Sequence, residues 1–205
     1  MSKIKICGLT RIEDIETVNK CLPDYIGFVF APSKRNVDID TAFMLRNKLN
    51  SKINAIGVFV NSPIEFISNI IEKNIIDIVQ LHGNENEDYI ASLKGNHNIP
   101  IIKAISVKTQ LDILQAQNSA ADYLLFDNGS GGTGKCFNWE LLNNLILQNK
   151  ISKPFFIAGG ININNINQAL TLNPYAIDVS GGVETNGVKD SKKIKLIIEK
   201  VHQNL

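Results

Sequence analysis

Phe155-Phe156-Ile157-Ala158-Gly159-Gly160 and Ala176-Ile177-Asp178-Val179-Ser180-Gly181-Gly182 are two apolar runs that each empty into a glycine pair. Glycines after a parallel strand let backbone N–H groups approach an anion closely, and a helix start beyond them adds the positive end of its dipole. In a (β/α)8 barrel the loops after strands seven and eight are where a phosphate usually sits. One glycine pair alone reads as a tight strand-to-helix turn. Two of them, one βα repeat apart, read as a phosphate cradle formed by Gly159, Gly160, Gly181 and Gly182, with Ser180 standing just before the second pair.

Working outward from these runs, six more precede them: Ile4–Cys7, Tyr25–Phe30, Ala55–Val60, Ile76–Leu81, Ile101–Ile105 and Tyr123–Phe126. All are short and almost continuously apolar, as parallel strands covered by helices on the outside must be. Between them lie stretches with helical spacing, such as Ile64, Ile67, Ile70 and Ile71, and later Ile194, Ile197, Ile198 and Val201. Asp40 is placed to cap a helix starting near Thr41, and Ser62-Pro63 to open the next. The segment Thr109–Asn118 is short and polar and gives the weakest helical pattern. A βα repeat of this kind builds either a closed barrel or an open doubly wound sheet. Eight units without an early dinucleotide fingerprint predict a (β/α)8 TIM barrel, with residues 1–205 forming a single domain.

The bulk composition narrows the partners. A net charge of +1, with basic residues spread along the chain, leaves no electrostatic footprint for nucleic acid or a membrane surface. A small molecule is the expected partner. Cys7, Cys21 and Cys136 are an odd number without C-x-x-C pairing, which fits a reducing compartment. With no apolar run long enough to cross a bilayer and a strand beginning at once, the reading is cytoplasmic. His82, His97 and His202 have no zinc-like spacing among themselves or with the cysteines, so no metal is expected.

Barrel active sites collect at the C-terminal ends of the strands. Cys7 ends the first strand, where a thiol acts as base or nucleophile once ionised. Cys21 is assigned to the apolar side of the first helix, and Cys136 to a loop. Asp127 ends the sixth strand after three apolar residues, where partial desolvation favours a protonated carboxyl and hence a general acid. Arg35 follows the second strand with a donor fork matched to a carboxylate. His82 follows the fourth and can donate a hydrogen bond to a ligand or serve the structure alone. Thr133-Gly134-Lys135 invites a nucleotide-loop reading, but the spacing fails, because Lys135 is followed by Cys136 rather than Ser or Thr. A loop closing over a sugar phosphate is the better expectation there.

These pieces, taken in order, resemble the phosphoribosylanthranilate isomerase family of the tryptophan pathway. The resemblance runs from Lys5 to Asp190. It is carried by Lys5-Ile6-Cys7-Gly8-Leu9-Thr10, Gly27-Phe28-Val29-Phe30 with Ser33-Lys34-Arg35, Gly57-Val58-Phe59-Val60, Gln80-Leu81-His82-Gly83 and Leu125-Phe126-Asp127. Gly131-Gly132-Thr133-Gly134 with Phe137-Asn138-Trp139, Ala158-Gly159-Gly160, Asp178-Val179-Ser180 and Gly187-Val188-Lys189-Asp190 complete it. Gly181 departs from the pattern, where a second serine is expected. The resemblance implies an aldose–ketose (Amadori) rearrangement of a phosphosugar without cofactor or metal, by a monomer or homodimer. It implies Asp127 as acid, Cys7 as a thiolate base, Arg35 on the anthranilate carboxylate, His82 in the binding site and the glycine cradle on the 5′-phosphate. The histidine-pathway isomerase and a tryptophan-pathway synthase are similar in fold and phosphate loops, and the thiol at Cys7 argues against the former. A barrel that binds phosphosugars without turnover is the reading from another class.

Overall fold

The computed structural model describes residues 2–129 and 136–203. Eight parallel strands close into a barrel in sequence order: β1 Lys3–Cys7, β2 Tyr25–Val29, β3 Asn54–Phe59, β4 Ile78–Leu81, β5 Ile101–Ser106, β6 Tyr123–Asp127, β7 Phe155–Ile157 and β8 Ala176–Val179. The last pairing, β1 with β8, sets Lys5 opposite Asp178. Around the barrel run α1 Ile12–Cys21, α2 Ile39–Arg46, α3 Ile64–Glu72, α4 Glu87–Asn96, α5 Gln110–Ala116, α6 Trp139–Leu147, α7 Ile166–Leu170 and α8 Ser191–Gln203. A two-stranded hairpin, β9 Glu184–Thr185 with β10 Val188–Lys189, stands between β8 and α8. Among the described residues no helix is long and apolar enough to cross a membrane.

All eight predicted strands form, with ends that differ by a residue or two. The helices differ more at their starts. Asp38, not Asp40, caps α2 by accepting the Thr41 N–H at 2.7 Å, because its extended backbone turns the side chain back onto the first turn. The residue next to the start of α3 is Pro63 and not Ser62, and no side chain caps that end. The polar fifth segment does form a helix. Asp112 reaches back to the backbone N–H groups of Lys108 and Thr109, while Ile113 and Ala116 are buried.

Two apolar layers result. Between strands and helices lies a continuous core that includes Ile6, Phe28, Phe59, Ile70, Leu142 and Ile197. Inside the barrel a second cluster, with Tyr25, Ile56, Ile102, Leu125 and Phe156 among its members, fills the half nearer the strand starts. Side chains alternate along a strand, so the inward positions of β1 read Lys3, Lys5, Cys7, those of β4 Ile78, Gln80, His82, and those of β8 Ala176, Asp178, then Ser180 just beyond it. Climbing the barrel, the interior therefore changes from apolar to polar.

The floor carries a repeated device. Asp24, Asp77 and Asp122 each stand just before an even-numbered strand and accept an N–H near the start of the preceding odd one: Ile4 at 2.9 Å, Ala55 at 2.7 Å and Ile101 at 2.8 Å. Asp77 also takes Arg46 at 2.8 Å. Removing such a carboxylate leaves a backbone donor without its partner, which costs about 1–3 kcal/mol. Asp77→Ala is expected to lower unfolding stability by that amount in urea titrations while kcat stays unchanged, since the residue lies at the opposite end of the barrel from the mouth.

Candidate active site

A cavity of about 930 Å³ opens at the C-terminal mouth, a size suited to a small-molecule ligand. It is lined by every residue singled out in the sequence: Cys7, Arg35, His82, Asp127, Gly159, Gly160, Ser180, Gly181 and Gly182. Cys21 lies on α1, half-buried against the core, as its helical position predicts. Cys136 is half-buried, accepts a hydrogen bond from Asn165 at 3.4 Å and stays out of the cavity lining. The loop expected to close over a sugar phosphate, with Thr133-Gly134-Lys135, lies outside the described residues.

Cys7 and Asp127 both line this mouth, from the ends of β1 and β6, which β7 and β8 separate around the barrel. Asp127 is held from two sides: Oδ1 accepts the Asn128 N–H at 2.6 Å, and Oδ2 is 3.5 Å from His82 Nε2. His82 Nδ1 in turn lies 2.8 Å from Gln80 Nε2. With the amide donating, the imidazole carries its proton on Nε2 and turns it toward Asp127. Burial pushes the Cys7 thiol up, and Lys5 and Lys189, which pull it down, do not outweigh burial together with Asp178. Burial thus works against the thiolate that the resemblance implies. Desolvation of a residue only 8% exposed is the reason.

The glycines serve more than one purpose. Gly159 has φ +82°, and a Cβ there would collide with Asp127 Oδ1. Its lack of a side chain gives the carboxylate its place. At Gly182 a Cβ would strike the Ile161 carbonyl, so the loops after β7 and β8 pack directly on each other. Gly181 has open space, its nearest neighbour being Arg35 Nη2 at 3.5 Å from a Cβ, so the serine expected there would fit. The helix dipole expected behind each pair is displaced. Only a 3₁₀ turn, Gly181–Val183, follows β8 directly, and α7 starts six residues beyond Gly160. Asn162 and Asn165 fix the first loop by donating to the Gly160 carbonyl, each at 3.0 Å. Ser180 donates to the Cys7 carbonyl at 3.0 Å, stitching the end of β8 to that of β1.

Arg35 is engaged by a residue the sequence reading did not single out. Its Nε and Nη2 donate to Glu184 Oε1 and Oε2 at 2.6 and 3.0 Å, and Lys189 Nζ reaches Oε1 at 2.9 Å. Burial pushes the Glu184 carboxyl up, but hydrogen bonds from Arg35 and Lys189 outweigh it and hold it at about 2. Lys5, Gln80, Asp178 and Lys189 were likewise not selected. The signal was present for three of them: a charged or amide residue at an inward position of an otherwise apolar strand is a buried polar group that needs a partner.

A cavity at the strand ends, with a cysteine and an aspartate among its lining residues, fits an enzyme of the (β/α)8-barrel class. The model of the N-(5′-phosphoribosyl)anthranilate isomerase family matches residues 4–200. An isomerase of that name from Clostridium acetobutylicum is 49% identical over 208 residues, covering 99% of each chain. Another, from Endomicrobium trichonymphae, is 49% identical over 95% of each. Among solved structures, the Thermus thermophilus enzyme superposes with a TM-score of 0.88 at 29% identity, covering 99% of this chain and 100% of its own. A complex of such an isomerase with reduced 1-(o-carboxyphenylamino)-1-deoxyribulose 5-phosphate gives 0.84 at 31%, with the same coverage. The chain belongs to the phosphoribosylanthranilate isomerase family, and it is an isomerase.

Two expectations follow. Gly159→Ala should keep its fold by circular dichroism and lose most turnover, because the added methyl displaces the Asp127 carboxylate; wild-type kcat would remove that role for the glycine. Glu184 is lowered from 4.5, so its contribution to stability is complete above that value and is lost as pH falls from there through about 2. The difference in unfolding midpoint between wild type and Glu184→Gln should therefore shrink between pH 5 and 2, and a constant difference would show that the carboxylate charge is not its source.

Proposed function

We propose that Cys7 and Asp127 are the base and the acid of the family reaction, the conversion of N-(5′-phosphoribosyl)anthranilate to 1-(2-carboxyphenylamino)-1-deoxyribulose 5-phosphate in tryptophan biosynthesis. The observation that carries this reading is that both line one cavity, each at a strand end. Asp127 gives its proton to the furanose ring oxygen as the C1′–O bond breaks, and the nitrogen lone pair forms the C1′=N bond of a Schiff base. Cys7 as thiolate takes the proton from C2′, and the C–H electrons form C1′=C2′ while neutralising the nitrogen. The enolamine then tautomerises to the C2′ ketone. No electrons enter or leave, so the reaction needs no redox partner.

The remaining residues bind and orient. Arg35 takes the anthranilate carboxylate, and the geometry supplies a reason: Glu184 already occupies its fork, so the guanidinium is held in place to meet a second carboxylate. The loops with Gly159, Gly160, Ser180, Gly181 and Gly182 take the 5′-phosphate through their backbone N–H groups, with Asn162 and Asn165 fixing the first loop. His82 steadies Asp127 and faces the ribose. We read the chain as one catalytic domain working in the cytoplasm, as a monomer or a homodimer. A monomeric form of a dimeric isomerase is known from Thermotoga maritima.

Proton transfer by a placed group typically contributes about 10²–10⁴-fold, so Cys7→Ser and Asp127→Asn should each lower kcat by at least the smaller of these factors. The fluorescence of the anthranilate group, followed on fresh substrate, measures this, with product affinity expected to change little. Either variant turning over at the wild-type rate would sink its assigned role.

A further inference from the structure

A lysine with no solvent exposure lies one inward position below Cys7. Lys5 Nζ donates to Asp178 Oδ2 at 2.8 Å and to Gln80 Oε1 at 2.5 Å. Along β1 its side chain and that of Cys7 take successive inward positions, both beside Gly27 of β2. A Cβ on Gly27 would come within 2.7 Å of that sulfur and 3.1 Å of Lys5 Cε, so the bare strand at Gly27 is the shared wall against which both side chains lie. Asp178 uses only one oxygen on this lysine; Oδ1 is buried without a partner among the described residues.

We propose that Lys5 is a positioning residue for the isomerisation: its ammonium, clamped by Asp178 and Gln80 beneath Cys7, is the counter-charge that makes the thiolate of Cys7 attainable, and Asp178 limits how far it does so. The inference rests on the assignment of Cys7 as base. Burial alone would discharge Lys5, but Asp178 and Cys7 outweigh it and keep it protonated. Burial alone also disfavours the thiolate, and of the charges around the sulfur Lys5 opposes that most strongly. The other groups acting on Cys7 are Asp178 from β8, Lys189 from β10 and, from the loop after β2, Arg35, which is itself neutralised by Glu184; His82 and Asp127 line the same cavity. Lys189 is drawn off by Glu184 and the Ser180 carbonyl, which leaves Lys5 as the cation that acts most strongly on the sulfur. The proton that Cys7 releases leaves to water through the open mouth. The same lysine is linked to the acid side, since Gln80 bridges it to His82 and so to Asp127.

The test uses two variants expected to move Cys7 in opposite directions. Lys5→Met/Asp178→Asn removes the pair without leaving a lone buried charge, and Asp178→Asn alone leaves the ammonium less opposed. The readouts are the acid limb of kcat/KM and the pH midpoint of iodoacetamide alkylation at Cys7, resolved from Cys21 and Cys136 by peptide mass spectrometry. Removing a nearby opposite charge shifts a titration by about one to three units; losing Asp178 as well offsets part of this, so in the double variant both midpoints should rise by less than the loss of the ammonium alone would give. In Asp178→Asn both should fall. Should the double variant not fold, the downward shift in the single variant carries the test. Folded variants that keep the wild-type midpoints would make Lys5 a structural ion pair only. Cys7→Ser run alongside separates the two claims: full turnover there would end the assignment of the base, while alkylation of the Lys5 and Asp178 variants would still report whether the ammonium governs the sulfur.

Discussion

An ammonium group without access to water sits in the upper half of the barrel, and much of the architecture serves to keep it there. Burying a charge is expensive unless it is paired and hydrogen-bonded, and removing one partner of such a pair typically costs about 3–5 kcal/mol. Lys5 can exist in its position only because Asp178 lies opposite it in the closing register of the barrel and Gln80 reaches it from β4. Replacing a buried ion pair by apolar residues of similar volume is often neutral or even stabilising. The expense is therefore a functional one, localised in the layer beneath the reacting groups.

That layer explains how the two ends of the barrel divide their work. Toward the strand starts the interior is filled by rings and aliphatic chains, with the hydroxyls of Tyr25 and Tyr175 gathered around Lys3 at 3.1 and 3.0 Å. Toward the strand ends the inward positions become ionisable or amide-bearing, and several of the groups at the mouth are placed by a second polar residue: Asp127 by His82, His82 by Gln80, Arg35 by Glu184. A substrate entering the mouth meets side chains already held in position, so little of its binding energy goes into ordering them.

Most of the strand pattern was legible in the sequence because parallel strands are apolar on both faces and glycines punctuate their ends. The rim residues followed from position alone: Cys7 and Asp127 end apolar runs, where a barrel puts its chemistry. Helix starts were less legible. Asp38 and Asp40 are equally good capping residues, and only the backbone angle at Asp38 decides between them. Glu184 and Lys189 escaped notice because the hairpin that carries them is four strand residues long and shows no periodicity. The dual part of Gly159 was invisible for a different reason: the carboxylate that needs its missing Cβ comes from 32 positions earlier in the chain, and nothing local announces it.

The three aspartates on the floor join strands that are close in sequence, separated by 20, 22 and 21 residues in the order Asp24, Asp77, Asp122. Each clips one strand–helix–strand unit to itself, a contact with a small loop-closure entropy that can form early. The contact between Lys5 and Asp178 spans 173 residues and exists only when the first and last strands meet. The ring is thus sewn in local stitches, whereas the seam that shuts it runs through the ion pair below Cys7. Assembly and chemistry share that seam, so a chain whose barrel has not closed lacks not merely rigidity but the charge arrangement around its thiol, and it stays inert until the last strand docks.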